Sequence, residues 1–313
     1  MSTLPPLLTG RIAALGECML ELRQGPGGLV LGFGGDTLNT AVYMARLGAA
    51  VDYVTALGDD GHSAQMVAAW QAEGVGCQHV LRLPGRVPGL YMIETDPTGE
   101  RRFLYWRDSA PARELFTLPQ TPALQQALMS CPMLFLSGIS LAIWGEQGRA
   151  QLFAFLDRYR QAGGRVAFDT NWRPRLWADR TQAQAAYQAM LQRTDLALPG
   201  EEDLSALYGD QGAEAVMARV AAFGISEIVL KLAQPGCLVR WGGQQVAVPA
   251  VSGVQVVDTT AAGDSFAAGY LAARRTVGPA DAAAVGARLA AVVVAHPGAI
   301  IDRSVMPVGL LAQ

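Results

Sequence analysis

The sequence predicts an α/β fold: a mostly parallel central sheet with helices on both faces, accompanied by a small β-sheet lid. Three observations predict it. Short apolar runs alternate with helix-period segments along most of the 313 residues, the mark of repeated strand–helix units. Apolar residues make up 51% and charged residues only 16%, so a large core can be buried and a disordered or highly charged chain is excluded. Finally, hairpin-like stretches interrupt the alternation twice, and the earlier one can pair with residues 17 to 33 as a separate sheet.

Arg11 to Leu15 is an apolar run ending at Gly16, read as the first buried strand. Leu20 to Leu22 and Leu29 to Phe33 flank the turn-rich Gln24-Gly25-Pro26-Gly27-Gly28. A helix is expected from Thr37 to Leu47, stopped by Gly48. Val51 to Leu57 is the next strand and Ser63 to Glu73 the next helix. Leu90 to Glu94 and Arg102 to Trp106 then flank Asp96-Pro97-Thr98-Gly99, a turn by composition. Strands follow near Met133 to Leu136, Arg165 to Phe168, Asp195 to Leu198 and Glu227 to Lys231, separated by helices near 146 to 162, 181 to 192 and 212 to 223. Cys237 to Trp241 and Gln244 to Val248 form a second hairpin around Gly242-Gly243, and helices at Gly263 to Arg275 and Ala280 to His296 complete the chain. Without an internal repeat or a low-complexity linker, residues 1–313 read as one domain, with a lid from about 17–33 and 87–107.

The net charge of −3 gives no general reason to bind nucleic acid or an anionic membrane. An anionic substrate would need a few placed arginines. Cys18, Cys77, Cys131 and Cys237 are widely spaced and read as buried, reduced residues. His62, His79 and His296 show no metal-ligand spacing. The N-terminus lacks a basic segment before a long apolar core, and no apolar run reaches about 18 residues, so neither a signal peptide nor a membrane span is expected. The expected compartment is the cytoplasm.

Three segments carry candidate chemistry. Asp258-Thr259-Thr260-Ala261-Ala262-Gly263-Asp264 runs into a predicted helix start. Small residues there let a ligand approach the backbone, and the unpaired N–H groups of the first turn stabilise negative charge. Asp264 can accept a proton from an attacking hydroxyl, or it can simply cap the helix, a role worth about 1 kcal/mol. The second segment is Gly32-Phe33-Gly34-Gly35-Asp36-Thr37-Leu38-Asn39-Thr40, where glycines can admit sugar hydroxyls beside Asp36 and Asn39. It is not a Walker A loop, for no Gly-Lys-Ser/Thr follows, and the first strand does not lead into G-x-G-x-x-G. The third is a set of tyrosines and arginines. Tyr91 and Tyr105 lie on opposite hairpin strands, and alternation places Tyr105 and Arg107 on one face. Arg173 sits just past a strand's C-terminal end, where open α/β sheets bind ligands. Paired guanidiniums suit a carboxylate.

Together these segments resemble the ribokinase-like (PfkB) carbohydrate kinases, from about residue 11 to 307. The family signature D-T-x-G-A-G-D corresponds to Asp258 to Asp264, and its Gly-Gly-x-x-x-Asn element to Gly34-Gly35-Asp36-Thr37-Leu38-Asn39. Within that family the resemblance is to the 2-keto-3-deoxygluconate kinase branch, through Gly16 to Leu22, Phe33 to Thr40, Pro88 to Asp96, Tyr105-Trp106-Arg107, Ser137 to Ile143, Arg173 to Trp177 and Gly298 to Ile301. Ala261 in place of the first signature glycine suits this branch.

The resemblance implies a three-layer α/β/α domain with a lid, and ATP- and Mg²⁺-dependent phosphorylation of the sugar acid's 6-hydroxyl, ahead of aldolase cleavage in Entner–Doudoroff-type catabolism. A monovalent cation is a further candidate. Asp264 would be the base, with Ala261, Ala262 and Gly263 as the anion hole. Gly34, Gly35, Asn39 and Asp36 would contact the sugar, and Tyr91, Tyr105, Arg107 and Arg173 its keto-acid end. Lys231, Gly236 and Gly263 fall on the nucleotide side. The family's Asn-x-x-Glu element is altered here to Gly200-Glu201-Glu202-Asp203, so Glu202 and Asp203 are candidates acting through water, and no direct metal ligand is assigned. A homo-oligomer formed through the lid is expected. The competing readings are a fructose, ribose or nucleoside kinase of the same fold, and a noncatalytic sugar-binding regulator.

Overall fold

The computed structural model describes residues 10–25, 27–95, 101–232 and 236–311. The expected turn at Asp96 to Gly99, the N-terminal segment before Gly10 and the loop positions 233–235 lie outside the described residues. In chain order the elements are β1 Ile12–Leu15, β2 Met19–Gly25, β3 Gly28–Gly34, α1 Asp36–Arg46, β4 Val51–Gly58, α2 Gly61–Ala72, β5 Val80–Leu83, β6 Leu90–Thr95 and β7 Arg101–Trp106. Then come α3 Thr121–Leu128, β8 Met133–Ser137, α4 Gly138–Ile143, α5 Gly145–Gln161, β9 Arg165–Asp169, α6 Arg180–Leu191, β10 Leu196–Leu198, α7 Glu201–Tyr208 and α8 Ala213–Ala221. The last are β11 Glu227–Lys231, β12 Gly236–Trp241, β13 Gln244–Pro249, α9 Ala262–Ala273 and α10 Pro279–Val294.

Nine strands form one sheet in the order β13-β12-β11-β10-β9-β8-β1-β4-β5, and β3-β2-β6-β7 form a separate four-stranded sheet. The large sheet is parallel from β11 through β5, with the antiparallel β12–β13 hairpin on one edge. Side-chain alternation divides β1 between two cores. Ile12 and Ala14 pack with α1, α2, α9 and α10 on one face, whereas Ala13 and Leu15 pack with α3 to α8 on the other. This produces three layers. Because the strands are buried on both faces, β8 reads as an apolar run from Met133 to Leu136, while β4 is apolar apart from the buried Asp52 and Thr55.

The helix that carries the candidate base is held on two sides. Gly269 of α9 meets Gly286 of α10 so closely that a Cβ on Gly269 would lie 2.8 Å from the Gly286 Cα. On its other side, buried Arg274 reaches Glu227 at the start of β11 (3.0 Å), and Tyr270 donates to the same carboxylate at 2.5 Å. Such a buried pair, satisfied by further hydrogen bonds, fixes position more than it adds stability.

Several expectations needed correction. Strand β5 is a part-buried edge strand of four residues without clean alternation, too short to read. The six-residue α4 follows β8 with no intervening turn signal, and α7 occupies a stretch to which the sequence pattern assigns no element. Helix α3 escaped notice because Pro122 stands in its first turn, where proline is tolerated. Cys77 is only half-buried, while the other three cysteines are buried, and all four are free thiols.

Candidate functional site

The sequence around Asp264 is shaped before any ligand arrives. Asp258 folds the approach to α9: its carboxylate accepts from the Thr260 amide (2.9 Å) and hydroxyl (2.6 Å), and from the Gly298 amide (2.7 Å). This is the Asx-type turn that aspartate favours. Ala261 then adopts φ +60°, a left-handed conformation that costs an L-residue roughly 1–2 kcal/mol. That strained residue is the N-cap, and no side chain caps the terminus. Ala262 already donates its amide to the Thr259 carbonyl at 3.2 Å, and the neighbouring Gly263 amide is left to meet an anion.

Asp264 is tied to the other signature segment. Asn39 donates its side-chain amide to Asp264 Oδ2 at 2.8 Å, and the Thr40 hydroxyl donates to the Asp264 carbonyl at 3.2 Å. Asp36, at the first turn of α1, accepts from the Thr37 amide and from Asn171 Nδ2, each at 2.8 Å. Asn171 itself is held at φ +25° just beyond β9. The glycines before α1 have a packing reason. A Cβ on Gly35 would overlap the carbonyl oxygen of Glu17, and one on Gly34 would overlap the Tyr91 hydroxyl. Alanine at Gly35 would push the backbone at Glu17 and Cys18 away from α1, whereas alanine at Gly34 would displace the Tyr91 hydroxyl.

Parallel strands deliver further charges to the same end of the sheet. Lys231 closes β11 and donates to Asp169 Oδ2, at the end of β9, at 2.6 Å. Its ammonium stands 3.5 Å from where a Cβ on Gly263 would be, which puts a positive charge over the first turn of α9. Thr170 accepts from the Gly200 amide at 2.9 Å and donates to Asp203 at 3.2 Å. Although Asp264 keeps some exposed surface, its carboxyl is desolvated. Burial first, then the negative charges of Asp36 and Asp169, push it up to about 7, against the opposing pull of Asn39 and Lys231. Asp36 and Asp203 are likewise raised, chiefly by burial.

Between this end of the large sheet and the four-stranded sheet lies a cavity of about 1220 Å³, lined in part by Gly35, Asp36, Tyr105, Arg107 and Arg173. Tyr91 and Tyr105 are directly opposed in the β6–β7 register, with ring centroids 6.1 Å apart. Arg107 stacks on Tyr105 at 5.8 Å and is buried in an ion pair with Glu17. Arg173, by contrast, is exposed and donates at 3.3 Å to the Trp172 carbonyl. Tyr91 donates its hydroxyl to Glu21.

The structure thus brings Asp264, Gly263, Ala262, Ala261, Asn39, Asp36 and Lys231 together around one helix terminus, and places Gly35, Tyr105, Arg107 and Arg173 around the adjoining cavity. Gly34 and Tyr91 stand behind the cavity wall and do not line it, and Gly236 lies apart from both groups. Gly236 opens β12 at φ +133°, with Val248 and Ala250 backbone against it, and lines neither this cavity nor the apolar one described below. Sequence reasoning missed Glu17 and Glu21, the partners of Arg107 and Tyr91. It also missed Asp169, and a second, mostly apolar cavity of about 570 Å³ lined by Val251, Val254, Ala291, Val292 and His296. The acidic residues were signalled only by carboxylates in otherwise apolar strand contexts. The cavity had no signal, since its walls come from separate segments. His79 does meet Asp52 and Cys131 within 4.8 Å, but at the opposite end of the strands. There Arg11 (2.7 Å) and Gln78 (2.5 Å) already occupy Asp52.

Comparison with known proteins agrees with this geometry. The family described as pfkB family carbohydrate kinase matches residues 11–305. The 2-dehydro-3-deoxygluconokinase of Escherichia coli (strain K12) is 47% identical over 308 residues, covering 96% of this chain and 100% of its own. That of Dickeya dadantii (strain 3937) is 46% identical over 309 residues, with coverage of 96% and 100%. Among solved structures, fructokinase from Vibrio cholerae O395, bound to fructose, ADP and calcium ion, superposes with a TM-score of 0.80 at 25% identity, covering 94% of this chain and 96% of that one. With the signature segments meeting at one helix terminus and the match spanning nearly the whole length, this chain belongs to the pfkB family of carbohydrate kinases.

Proposed function

We propose that the chain transfers a phosphoryl group from ATP to the 6-hydroxyl of 2-keto-3-deoxygluconate, also called 2-dehydro-3-deoxygluconate, with Asp264 as general base. One observation carries the reading. Asp264 at the terminus of α9 is bonded to Asn39 on α1, and the start of α1 also lines a cavity walled by Arg107 and Arg173. A proton acceptor, an anion-stabilising helix end and carboxylate-binding guanidiniums therefore adjoin one another. The names of the relatives at 46–47% identity agree.

In this reading the sugar acid lies in the cavity with its keto-acid end on Arg107, Arg173, Tyr91 and Tyr105, beside Gly34, Gly35, Asp36 and Asn39. Asp264 takes the proton of the 6-hydroxyl as that oxygen attacks. The amides of Ala261, Ala262 and Gly263, with the Lys231 ammonium, stabilise charge on the transferred group. The four-stranded sheet, about 17–33 and 87–107 of a single kinase domain, serves as a lid that excludes water.

Asp169 and Asp203 stand beside Lys231, and Asp36 and Asp264 add further acidic groups. A polyphosphate entering there needs a hard cation, and the oxygen donors present fit one. Asp203 and Asp169 are the residues that would hold it, while Glu202 is exposed. Mg²⁺ bound with ATP neutralises the phosphate oxygens. The apolar cavity fits the nucleotide base, since Val257 and Asp258, which lead into the α9 turn, hydrogen-bond Val294, which lies between the lining residues Val292 and Ala295. Ala291→Trp is expected to raise KM for ATP at least tenfold while leaving KM for the sugar acid within about twofold; equal changes in both would remove the base from that cavity.

A neutral-sugar kinase has no use for the Arg107 and Arg173 guanidiniums in the cavity, and a noncatalytic regulator has none for the proton acceptor. Coupled ADP-release assays with 2-keto-3-deoxygluconate, fructose, ribose and adenosine decide the matter. We expect turnover of the sugar acid; turnover of fructose or ribose without it would sink the assignment. We further propose that two copies pair through the lid. Strand β3 exposes Leu29, Val30 and Leu31 by 54%, 37% and 45%, and β7 exposes Trp106 by 57%, apolar side chains on an open-edged sheet. Light scattering is expected to report a dimer or larger, and a monomer at assay concentration would overturn this.

A further inference from the structure

Glu17 lies between β1 and β2 and is 3% exposed. One of its oxygens, Oε2, accepts from Arg107. The other, Oε1, is buried with no hydrogen-bond partner, and so is Arg107 Nε. Both residues line the cavity that receives the sugar acid in the reading above. Orphaned buried polar atoms are rare and costly in folded proteins. Here an ionised acceptor and a charged donor are left unsatisfied in the same ion pair, at the wall of a binding cavity.

The backbone under Glu17 is equally constrained. Its carbonyl oxygen presses on Gly35, where no Cβ can be accommodated, so the carboxylate is locked in register with the start of α1. Burial raises the Glu17 carboxyl, and the Arg107 charge opposes that rise. A carboxylate free at one oxygen accepts from a hydroxyl, and a ketone or carboxylate offers no such proton. The hydroxyls of a sugar acid between its keto-acid head and its 6-position are the groups with the matching chemistry.

We propose that Glu17 is a substrate-binding, specificity-determining residue whose free oxygen Oε1 accepts a hydrogen bond from a secondary hydroxyl of the sugar acid, while Oε2 holds Arg107 for the carboxylate. The pair then reads two features of one ligand. A substrate that carries the acid but lacks the hydroxyls leaves Glu17 Oε1 buried and unpaired, and a site built to bond a hydroxyl discriminates strongly against such an analogue. The inference rests on the sugar-acid kinase reading, and turnover of 2-keto-3-deoxygluconate by the unaltered protein checks that reading separately.

The test compares 2-keto-3-deoxygluconate with 6-hydroxy-2-oxohexanoate, which keeps the keto-acid head, the chain length and the 6-hydroxyl but has no hydroxyl at carbons 4 and 5. The readout is the ratio of kcat/KM for the two compounds, or of KM to inhibition constant where the analogue only competes. Glu17→Met removes the acceptor, and Glu17→Gln keeps an oxygen for Arg107 at the same size in case the first variant fails to fold. We expect the ratio to fall by about 10- to 100-fold in Glu17→Met, the size of one hydrogen bond to a charged group. In Glu17→Gln it is expected to fall by about fivefold or more, with the loss in KM and not in kcat. If Glu17 only holds Arg107, both compounds weaken in parallel. An unchanged ratio in the folded variants would overturn the proposal.

Discussion

Asp264→Asn is expected to lower kcat by about 10³- to 10⁴-fold while KM for the sugar acid changes little, the scale of losing a positioned general base. Asparagine keeps the size and can still bond Asn39 after an amide rotation, so the loss reports chemistry and not collapse of the α1–α9 contact. The pH profile sharpens this expectation. Asp264 must be ionised to accept a proton, and burial with Asp36 and Asp169 nearby brings its carboxyl up to about 7. Turnover should therefore fall on the acid side of about pH 7, roughly tenfold per unit well below it. Asp36→Asn removes one of the negative neighbours, which makes ionisation of Asp264 easier. The acid limb then moves to lower pH. Because Asp36 and Asp264 share one electrostatic environment, the limb belongs to the pair and not to one carboxyl. Stopped assays from pH 5 to 9, with enough coupling enzyme at each end, measure both effects. A near-normal rate for Asp264→Asn would remove it as base, and an unmoved limb in Asp36→Asn would separate the two carboxylates.

The sequence made one half of this site legible and concealed the other, for physical reasons. Asp264, the small residues before it and the Gly34-Gly35 pair form contiguous motifs, because a helix terminus is built from neighbours in the chain. The register that opposes Tyr91 to Tyr105 follows from hairpin alternation, and the structure shows that pairing. The acidic partners are different. Glu17 meets Arg107 across 90 residues, and Lys231 meets Asp169 across 62. Only the order of strands in the sheet brings them together, and local patterning carries no information about that order. Fold elements divide the same way. Buried strands of the parallel sheet announce themselves as apolar runs, whereas β5 at the edge and the six-residue α4 have too few residues to show a period. The glycines were read as room for a sugar, yet Gly34 and Gly35 are also required by the Tyr91 hydroxyl and the Glu17 carbonyl. Their reason for being glycine lies in the protein as much as in any ligand.

Removing Arg107 is expected to raise KM for the sugar acid by about 10²-fold and to leave a neutral sugar analogue nearly unaffected. Two opposing effects set that figure. Arg107 is 8% exposed, so water screens its charge poorly and each hydrogen bond to a carboxylate is worth roughly 1.5–3 kcal/mol. Glu17 already neutralises part of that charge, which holds the gain well below that of an unpaired buried guanidinium. Arg173 is exposed, and an exposed pair contributes only about 0–1 kcal/mol. Arg173→Ala should therefore cost less than about tenfold, and the clamp is asymmetric. A plain Arg107→Ala test is confounded, because it strands the Glu17 carboxylate in the interior, a defect that costs about 3–5 kcal/mol of stability. Arg107→Met combined with Glu17→Gln removes both charges at nearly constant volume, and its melting temperature should stay close to that of the unaltered protein. In that background the loss in KM for the acid, set against the loss for fructose as competitor, isolates recognition of the carboxylate. Equal losses for acid and neutral ligand would refute the clamp, because burial and packing act on both alike while charge acts on one.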